Sequence, residues 1–138
     1  MKISTKGRYG LRVMIDIASH SNEEYIALKD IAARLGITVK YLEQIVAPLN
    51  KAGFLNSMRG GSGGHKLAVS PEDCKVGDIL RVMEGNLSPV ECVASGEIEC
   101  PLAESCLTVS FWKGLDDVVN NYIDSFTLKD LLPDSDTK

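Results

Sequence analysis

Two apolar quartets constrain this chain more than any other feature. Leu28, Ile31, Ala32 and Leu35 fall at i, i+3, i+4 and i+7, the spacing of a buried helical face, and so do Leu42, Ile45, Val46 and Leu49. Between them Gly36 stands where a left-handed residue ends a helix, and Thr38 stands where a hydroxyl caps the next one. Two short helices joined by a tight turn containing glycine form a helix-turn-helix. Gly53 marks the second helix's end, and Pro48 inside it predicts a distorted last turn.

The residues after Gly53 narrow the fold. Phe54-Leu55-Asn56-Ser57-Met58-Arg59 and His65-Lys66-Leu67-Ala68-Val69 read as strands around Gly60-Gly61-Ser62-Gly63-Gly64. Strand-like flanks on a glycine-rich tip predict a β-hairpin rather than a linker, and after a helix-turn-helix such a hairpin is a wing. Ahead of these elements, Ser4 or Thr5 caps a first helix with Leu11, Met14, Ile15 and Ala18 inward, and residues 21–24 read as a loop. The predicted fold class is mainly α with a small β-hairpin wing: a winged helix-turn-helix over residues 1–70. Residues 71–138 then form a cysteine-bearing segment and a long C-terminal dimerisation helix.

In that second part, Pro71-Glu72-Asp73 is expected to open a helix with Val76, Ile79, Leu80 and Met83 inward. Residues 85–105 are irregular. Helical spacing returns from Leu107 to about Phe126, where Trp112, Leu115, Val119, Tyr122 and Phe126 form one stripe and Phe111, Val118 and Ile123 widen it. A helix apolar over so much of its surface must be covered on two sides, so a homodimer is expected to use this stripe. Residues 134–138 read as a frayed tail.

The net charge of −4 argues at first against nucleic acid. Its distribution reverses that impression. Residues 1–70 hold ten Lys and Arg against five Asp and Glu, whereas residues 71–138 hold five against fourteen. A basic first half suits a module that contacts double-stranded promoter DNA. The predicted recognition helix presents Thr38, Lys40, Tyr41, Glu43 and Gln44 near its N-terminus. Gln44 could bond adenine bidentately and Glu43 could accept from a cytosine amino group. Arg59 with Gly60 at the wing tip could enter a narrow minor groove. Lys2, Lys6, Arg8 and Lys66 are candidate phosphate contacts. His65 is expected to be an exposed wing residue and His20 a helix-end residue.

Three cysteines cluster as Cys92-x7-Cys100-x5-Cys106, and Cys74 stands apart. Soft thiolate sulfur matches iron in the sulfide core of an iron–sulfur cluster, here 2Fe-2S or 4Fe-4S, and an isolated sample can lose such a cluster. The same trio could hold zinc with a fourth ligand or act through thiol chemistry. No stretch of about 18 apolar residues spans a membrane and no signal-peptide core is present, so a cytoplasmic location is expected. Neither an acid–base pair nor a nucleophile–base pair is visible, and no Lys-Ser/Thr follows the glycine run as a phosphate loop requires, so an enzyme is not expected.

These residues together resemble the Rrf-type winged helix-turn-helix transcriptional regulators, a group with IscR-, NsrR- and CymR-like members. The resemblance covers nearly the whole chain. It rests on Met1-Lys2-Ile3-Ser4-Thr5-Lys6-Gly7-Arg8-Tyr9-Gly10, Tyr41-Leu42-Glu43-Gln44, Arg59-Gly60 with Gly63-Gly64, Val76-Gly77-Asp78-Ile79, and Cys106-Leu107-Thr108 with Trp112. It implies a homodimeric DNA-binding regulator whose recognition helix holds Tyr41, Glu43 and Gln44 and whose wing carries Arg59. It also implies an iron–sulfur cluster on Cys92, Cys100 and Cys106. CymR-like members lack that trio, although this N-terminus reads much like theirs. Two departures stand out. Val109 occupies the position of the IscR-like histidine ligand, and Arg8 that of the NsrR-like aspartate. The fourth ligand is therefore open among Glu97, Glu99, Glu104 and Ser110, with Cys74 a weaker candidate. Docking to a metabolic enzyme is a further possible partnership.

Overall fold

The computed structural model describes residues 2–20, 24–61, 63–94 and 104–133. Its helices are α1 (Thr5–His20), α2 (Leu28–Leu35), α3 (Val39–Lys51), α4 (Val76–Glu84), α5 (Val109–Asp124) and α6 (Leu128–Leu131). Strands β1 (Leu55–Met58) and β2 (Gly64–Leu67) form an antiparallel hairpin between α3 and α4. The mainly helical architecture with a small wing is thus the one expected.

The helix-turn-helix forms as its spacing demands. Gly36 adopts φ +68°, and its neighbour Ile37 donates its N–H back to the Ala32 carbonyl. Thr38 caps α3 by accepting from the Tyr41 N–H at 3.0 Å. Leu42, Ile45, Val46 and Leu49 are all buried. Pro48 does not break α3, which runs on to Lys51.

Helix α1 departs from its expected face. Its most buried positions are Gly7, Gly10, Val13, Met14 and Ile17, while Leu11, Ile15 and Ala18 are half-buried. The cause is α4. A Cβ on Gly10 would lie 2.7 Å from Met83 Cγ, and one on Gly7 would collide with the Glu84 carboxylate. Glycine at both places lets α4 settle onto this side of α1 and draws the buried stripe toward it.

The α4 helix also starts later than Pro71 suggests. Pro71–Asp73 makes a separate 3₁₀ turn, and Cys74 and Lys75 are extended. They are held there by α6 and the residues before it: the Leu128 N–H donates to the Cys74 carbonyl at 2.7 Å and the Val76 N–H to the Phe126 carbonyl at 2.9 Å. Cys74 and Leu128 consequently join Ile79 in the main core with α1, α2 and α3. A second cluster of Val76, Leu80 and Leu87 takes up Ile3, Leu11, Ile123 and Phe126.

An ion pair on a buried carboxylate interrupts this apolar packing. Asp16 is 7% exposed and accepts from Arg34 Nε at 2.9 Å and Nη2 at 2.8 Å, tying α1 to α2. The bidentate geometry satisfies a carboxylate that burial would otherwise penalise.

The wing pairs Leu55 with Leu67 and Met58 with Gly64, and the Gly63 N–H closes its tip on the Gly60 carbonyl at 3.0 Å. On the other edge of β2, His65 exchanges both backbone hydrogen bonds with Ile26, at 2.8 and 2.9 Å. Gly64, at φ +150°, sits so close to the Ile26 carbonyl that a Cβ would overlap it. This third edge overturns the expectation of an exposed His65. The residue is 8% exposed, with its ring Nδ1 3.2 Å from Asn50 Nδ2. Pleating puts His65 on the face of Leu67, which packs on the core.

Burial lowers the His65 pKa below the ordinary 6.5, so between those values the unfolded chain binds more protons than the folded one. Stability should therefore hold above about pH 6.5 and decline as pH falls through that window. Urea titrations from pH 5 to 7.5 on the wild type and His65→Gln should show a shallower decline in the variant; identical slopes would discard the assignment. Gly10→Val should lower unfolding stability by about 1–3 kcal/mol through overpacking against Met83, measured in the same way.

Candidate nucleic-acid interface and cysteine segment

Capping by Thr38 fixes where α3 begins and thus which side chains face outward. Lys40, Glu43 and Gln44 are exposed at i, i+3 and i+4, forming one helix face. Thr38 is exposed as well, but its oxygen is committed to the cap. Tyr41 lies differently. It is half-buried against the core, edge-on to Tyr9 with ring centroids 6.0 Å apart, and wedges α3 against α1.

Arg59 and Gly60 are exposed at the wing tip, where Gly60 takes φ +108°. Lys66 is half-buried, with its ammonium 4.7 Å above the Tyr25 ring. Lys2 and Arg8 are exposed at the start of α1, and the Arg8 guanidinium donates to Thr5 Oγ1 at 3.0 Å. This end of α1 is anchored from the second half of the chain. Glu84, the last residue of α4, accepts from the Ser4 N–H at 2.8 Å and the Ser4 hydroxyl at 2.5 Å, while Ser4 Oγ accepts from the Gly7 N–H. His20 is exposed at the end of α1, its Nδ1 2.8 Å from the Asp16 carbonyl.

The cysteines fall into distinct environments. Cys74 is 1% exposed, and burial followed by the Asp78 charge pushes its pKa up to about 11. It is a buried thiol packed in the main core with Ile79 and Leu128. Cys92 is half-buried in the 3₁₀ turn Glu91–Val93. Cys106 is half-buried just ahead of α5, its Sγ 3.5 Å from Thr108 Oγ1. Hydrogen bonds from the Thr108 hydroxyl, then from the Thr108 and Val109 N–H groups, hold this thiol below its ordinary pKa. That favours thiolate, the form that binds metal and reacts with oxidants. Cys100, Glu97 and Glu99 lie outside the described residues. Glu104 and Ser110 are exposed. Among the described residues no three His, Cys, Asp or Glu side chains converge as a metal site.

Along α5 the expected dimerisation stripe divides. Phe126, just beyond the helix, packs on the Val76–Leu80–Leu87 cluster, and Trp112, Leu115 and Val119 are half-buried. Tyr122 is 64% exposed and continues a line with Val118 at 65%, Phe111 at 64% and Leu107 at 96%.

Comparison with known proteins agrees with this arrangement. Residues 3–134 match the Rrf2 family model, described as an iron-dependent transcriptional regulator. The chain belongs to the Rrf2 family of transcriptional regulators. It is 42% identical over 135 residues to Protein rrf2 of Nitratidesulfovibrio vulgaris, covering 98% of this chain and 89% of that protein. Identity to the HTH-type transcriptional regulator CymR of Bacillus subtilis is 44% over 131 residues, covering 95% and 89%. The structure of that CymR, described as the global cysteine regulator of B. subtilis, superposes with TM-score 0.77 over 95% of each chain. T. potens IscR superposes with TM-score 0.72 at 40% identity, covering 95% of this chain and 85% of that one. The CymR and IscR relatives are named as HTH-type transcriptional regulators, in keeping with a chain not expected to be an enzyme, and their names lend no support to docking on a metabolic enzyme. No helix among the described residues is long and apolar enough to cross a membrane.

Neither the Glu84–Ser4 anchor nor the Asp16–Arg34 pair is among the contacts expected from the sequence. Asp16 does leave a signal there, as an acid set among Val13, Met14 and Ile17.

The environments of the cysteines can be checked by alkylation. In metal-free protein at pH 7, iodoacetamide should modify Cys106 well before Cys74, whose thiolate fraction at a pKa near 11 is about 10⁻⁴. Thr108→Val should slow Cys106 modification by removing its nearest hydrogen bond. Equal rates for Cys106 and Cys74, followed by mass spectrometry, would contradict both environments.

Proposed function

We propose that this protein is a homodimeric, cytoplasmic transcription regulator that binds double-stranded promoter DNA and senses through an iron–sulfur cluster held by Cys92, Cys100 and Cys106. The observation that carries DNA reading is the free outer face of α3, with Lys40, Glu43 and Gln44 exposed on a capped helix and Arg59 on a glycine-tipped wing. Glu43 and Gln44 are suited to base edges, Lys40 to phosphate, and Arg59 to the minor groove. Lys2, Arg8 and Lys66 add sequence-independent attraction.

Support for the cluster comes from Cys106, whose hydrogen bonds favour thiolate, and from the family's description as iron-dependent. When bound, the cluster supplies a redox- and iron-responsive centre. The chain's own part is to present two thiols on either side of the inter-helix segment, at the α4 side through Cys92 and at the start of α5 through Cys106. A second copy covers Leu107, just ahead of α5, and Phe111, Val118 and Tyr122 on it, and dimeric half-sites would then lie about 34 Å apart.

A second reading is a cluster-free thiol or zinc sensor of sulfur metabolism. The similarity to CymR favours it, as does Val109, which offers no ligand where a histidine was expected.

Anaerobic purification with iron and sulfide counts separates these readings. The cluster reading expects iron, sulfide and visible absorbance, all lost in Cys106→Ser. Iron- and sulfide-free protein whose DNA affinity still responds to thiol oxidation or zinc would establish the second reading instead. DNA binding is tested by selecting duplexes from a random pool and measuring anisotropy against salt. Arg59→Ala should weaken binding about tenfold and reduce the salt slope by about one. Failure to select any duplex would overturn DNA binding.

A further inference from the structure

Helix α4, the turn at residues 85–88, Ala94 and helix α5 line an open cavity of about 400 Å³. Its polar lining includes Arg81, Asn86, Ser88, Asp116 and Asn120, over an apolar contribution from Leu87. That size lies within the usual range for small-molecule sites. Asp116 is 7% exposed, and among the described residues nothing donates a hydrogen bond to its carboxylate. Its carboxylate lines the cavity, where it offers acceptor oxygens to a ligand's donors.

The neighbouring charges determine what kind of ligand. Arg81 is the cation nearest to hand, but its guanidinium is committed. Nη1 donates to Asp124 at 2.8 Å and to Asp78 at 3.4 Å, and Nη2 donates to Asp124 at 3.0 Å and to the Asn120 carbonyl oxygen at 2.9 Å. Two carboxylates already oppose that one positive charge. Lys113, one turn before Asp116, is paired with Asp117 at 2.5 Å. Lys113 feels the Asp116 charge at longer range, but among the described residues no cation forms an ion pair with Asp116, and the cavity favours a cation over an anion.

A bare metal ion suits the lining poorly. Hard divalent cations need several oxygen ligands, including carboxylates. Here a single carboxylate is free, a guanidinium stands beside it, and no group of three potential ligands forms among the described residues. An organic ammonium group fits better, because its N–H donors meet the Asp116 oxygens. The Asn120 carbonyl oxygen is occupied by Arg81 while its amide N–H₂ stays available as a donor. Asn86 likewise accepts from the Ser88 N–H at 2.7 Å through its oxygen, which leaves its N–H₂ to donate. The two amides could hold an acceptor, such as a hydroxyl or carbonyl, at the far end of the ligand.

We infer that this cavity binds a small ammonium-bearing molecule with a hydrogen-bond acceptor at its other end, Asp116 serving as the counter-ion. The site lies directly after Glu84, so an occupant would bear on the segment that anchors the start of α1.

The test is an NMR titration of the full chain, following the side-chain amide signals of Asn86 and Asn120. Ethanolamine and 3-aminopropanol serve as ammonium probes and glycolate as a small anion. Saturable shifts with at least one ammonium probe and none with glycolate are expected, with affinity at least tenfold weaker in Asp116→Asn. Asn86→Ala, on the exposed turn, should bind several-fold more weakly and serves in place of Asp116→Asn should that variant not fold. No saturable shift with either ammonium probe, equal shifts with glycolate, or unchanged affinity in the folded variants would overturn the proposal.

Discussion

The close approach of α4 to α1 is the contact on which the arrangement rests. Gly7 and Gly10 remove the side chains that would hold the helices apart, and Met83 and Glu84 fill the space. Through this contact the segment beyond the wing becomes part of the core that supports α3. The Glu84 carboxylate completes it by accepting both donors of Ser4 at the start of α1. The basic start of α1 is thereby fixed by a residue adjoining the segment that leads to Cys92.

Charge pairs do different work at different depths. Asp16 and Arg34 fasten α2 to α1, while Arg81 joins α4 to α5 through Asp124 and Asn120. Partly buried bidentate pairs of this kind fix orientation more than they add net stability. Lys40 and Arg59, by contrast, are exposed. Phosphate contact needs such groups, because a cation already neutralised by the protein releases fewer counterions on binding DNA.

Much of this is legible in the chain. The helix-turn-helix, its Gly36 turn and its Thr38 cap are local features, governed by spacing within one or two turns. The wing is equally visible from its glycines. The cysteine trio is visible as a pattern, but spacing cannot distinguish thiols by environment. Cys74 and Cys106 differ because one is packed beneath α6 and the other meets the hydroxyl and backbone N–H groups at the start of α5. The exposure expected of His65 fails because a two-stranded wing has no inner edge, whereas this one has a third partner. Period-two alternation places His65 with Leu67 and Val69, and pairing with Ile26 makes that face an inner one.

By itself, then, the sequence determined the order and type of the elements and the buried and exposed faces of α3. Those properties depend on periodicity and on residues a few positions apart. Tertiary structure decided which side of α1 is covered, where α4 begins, which thiol is buried, and that Asp116 lines the cavity between α4 and α5. Each of these depends on groups distant in sequence meeting in space, where hydrogen bonds and desolvation are set by neighbours that no local pattern names.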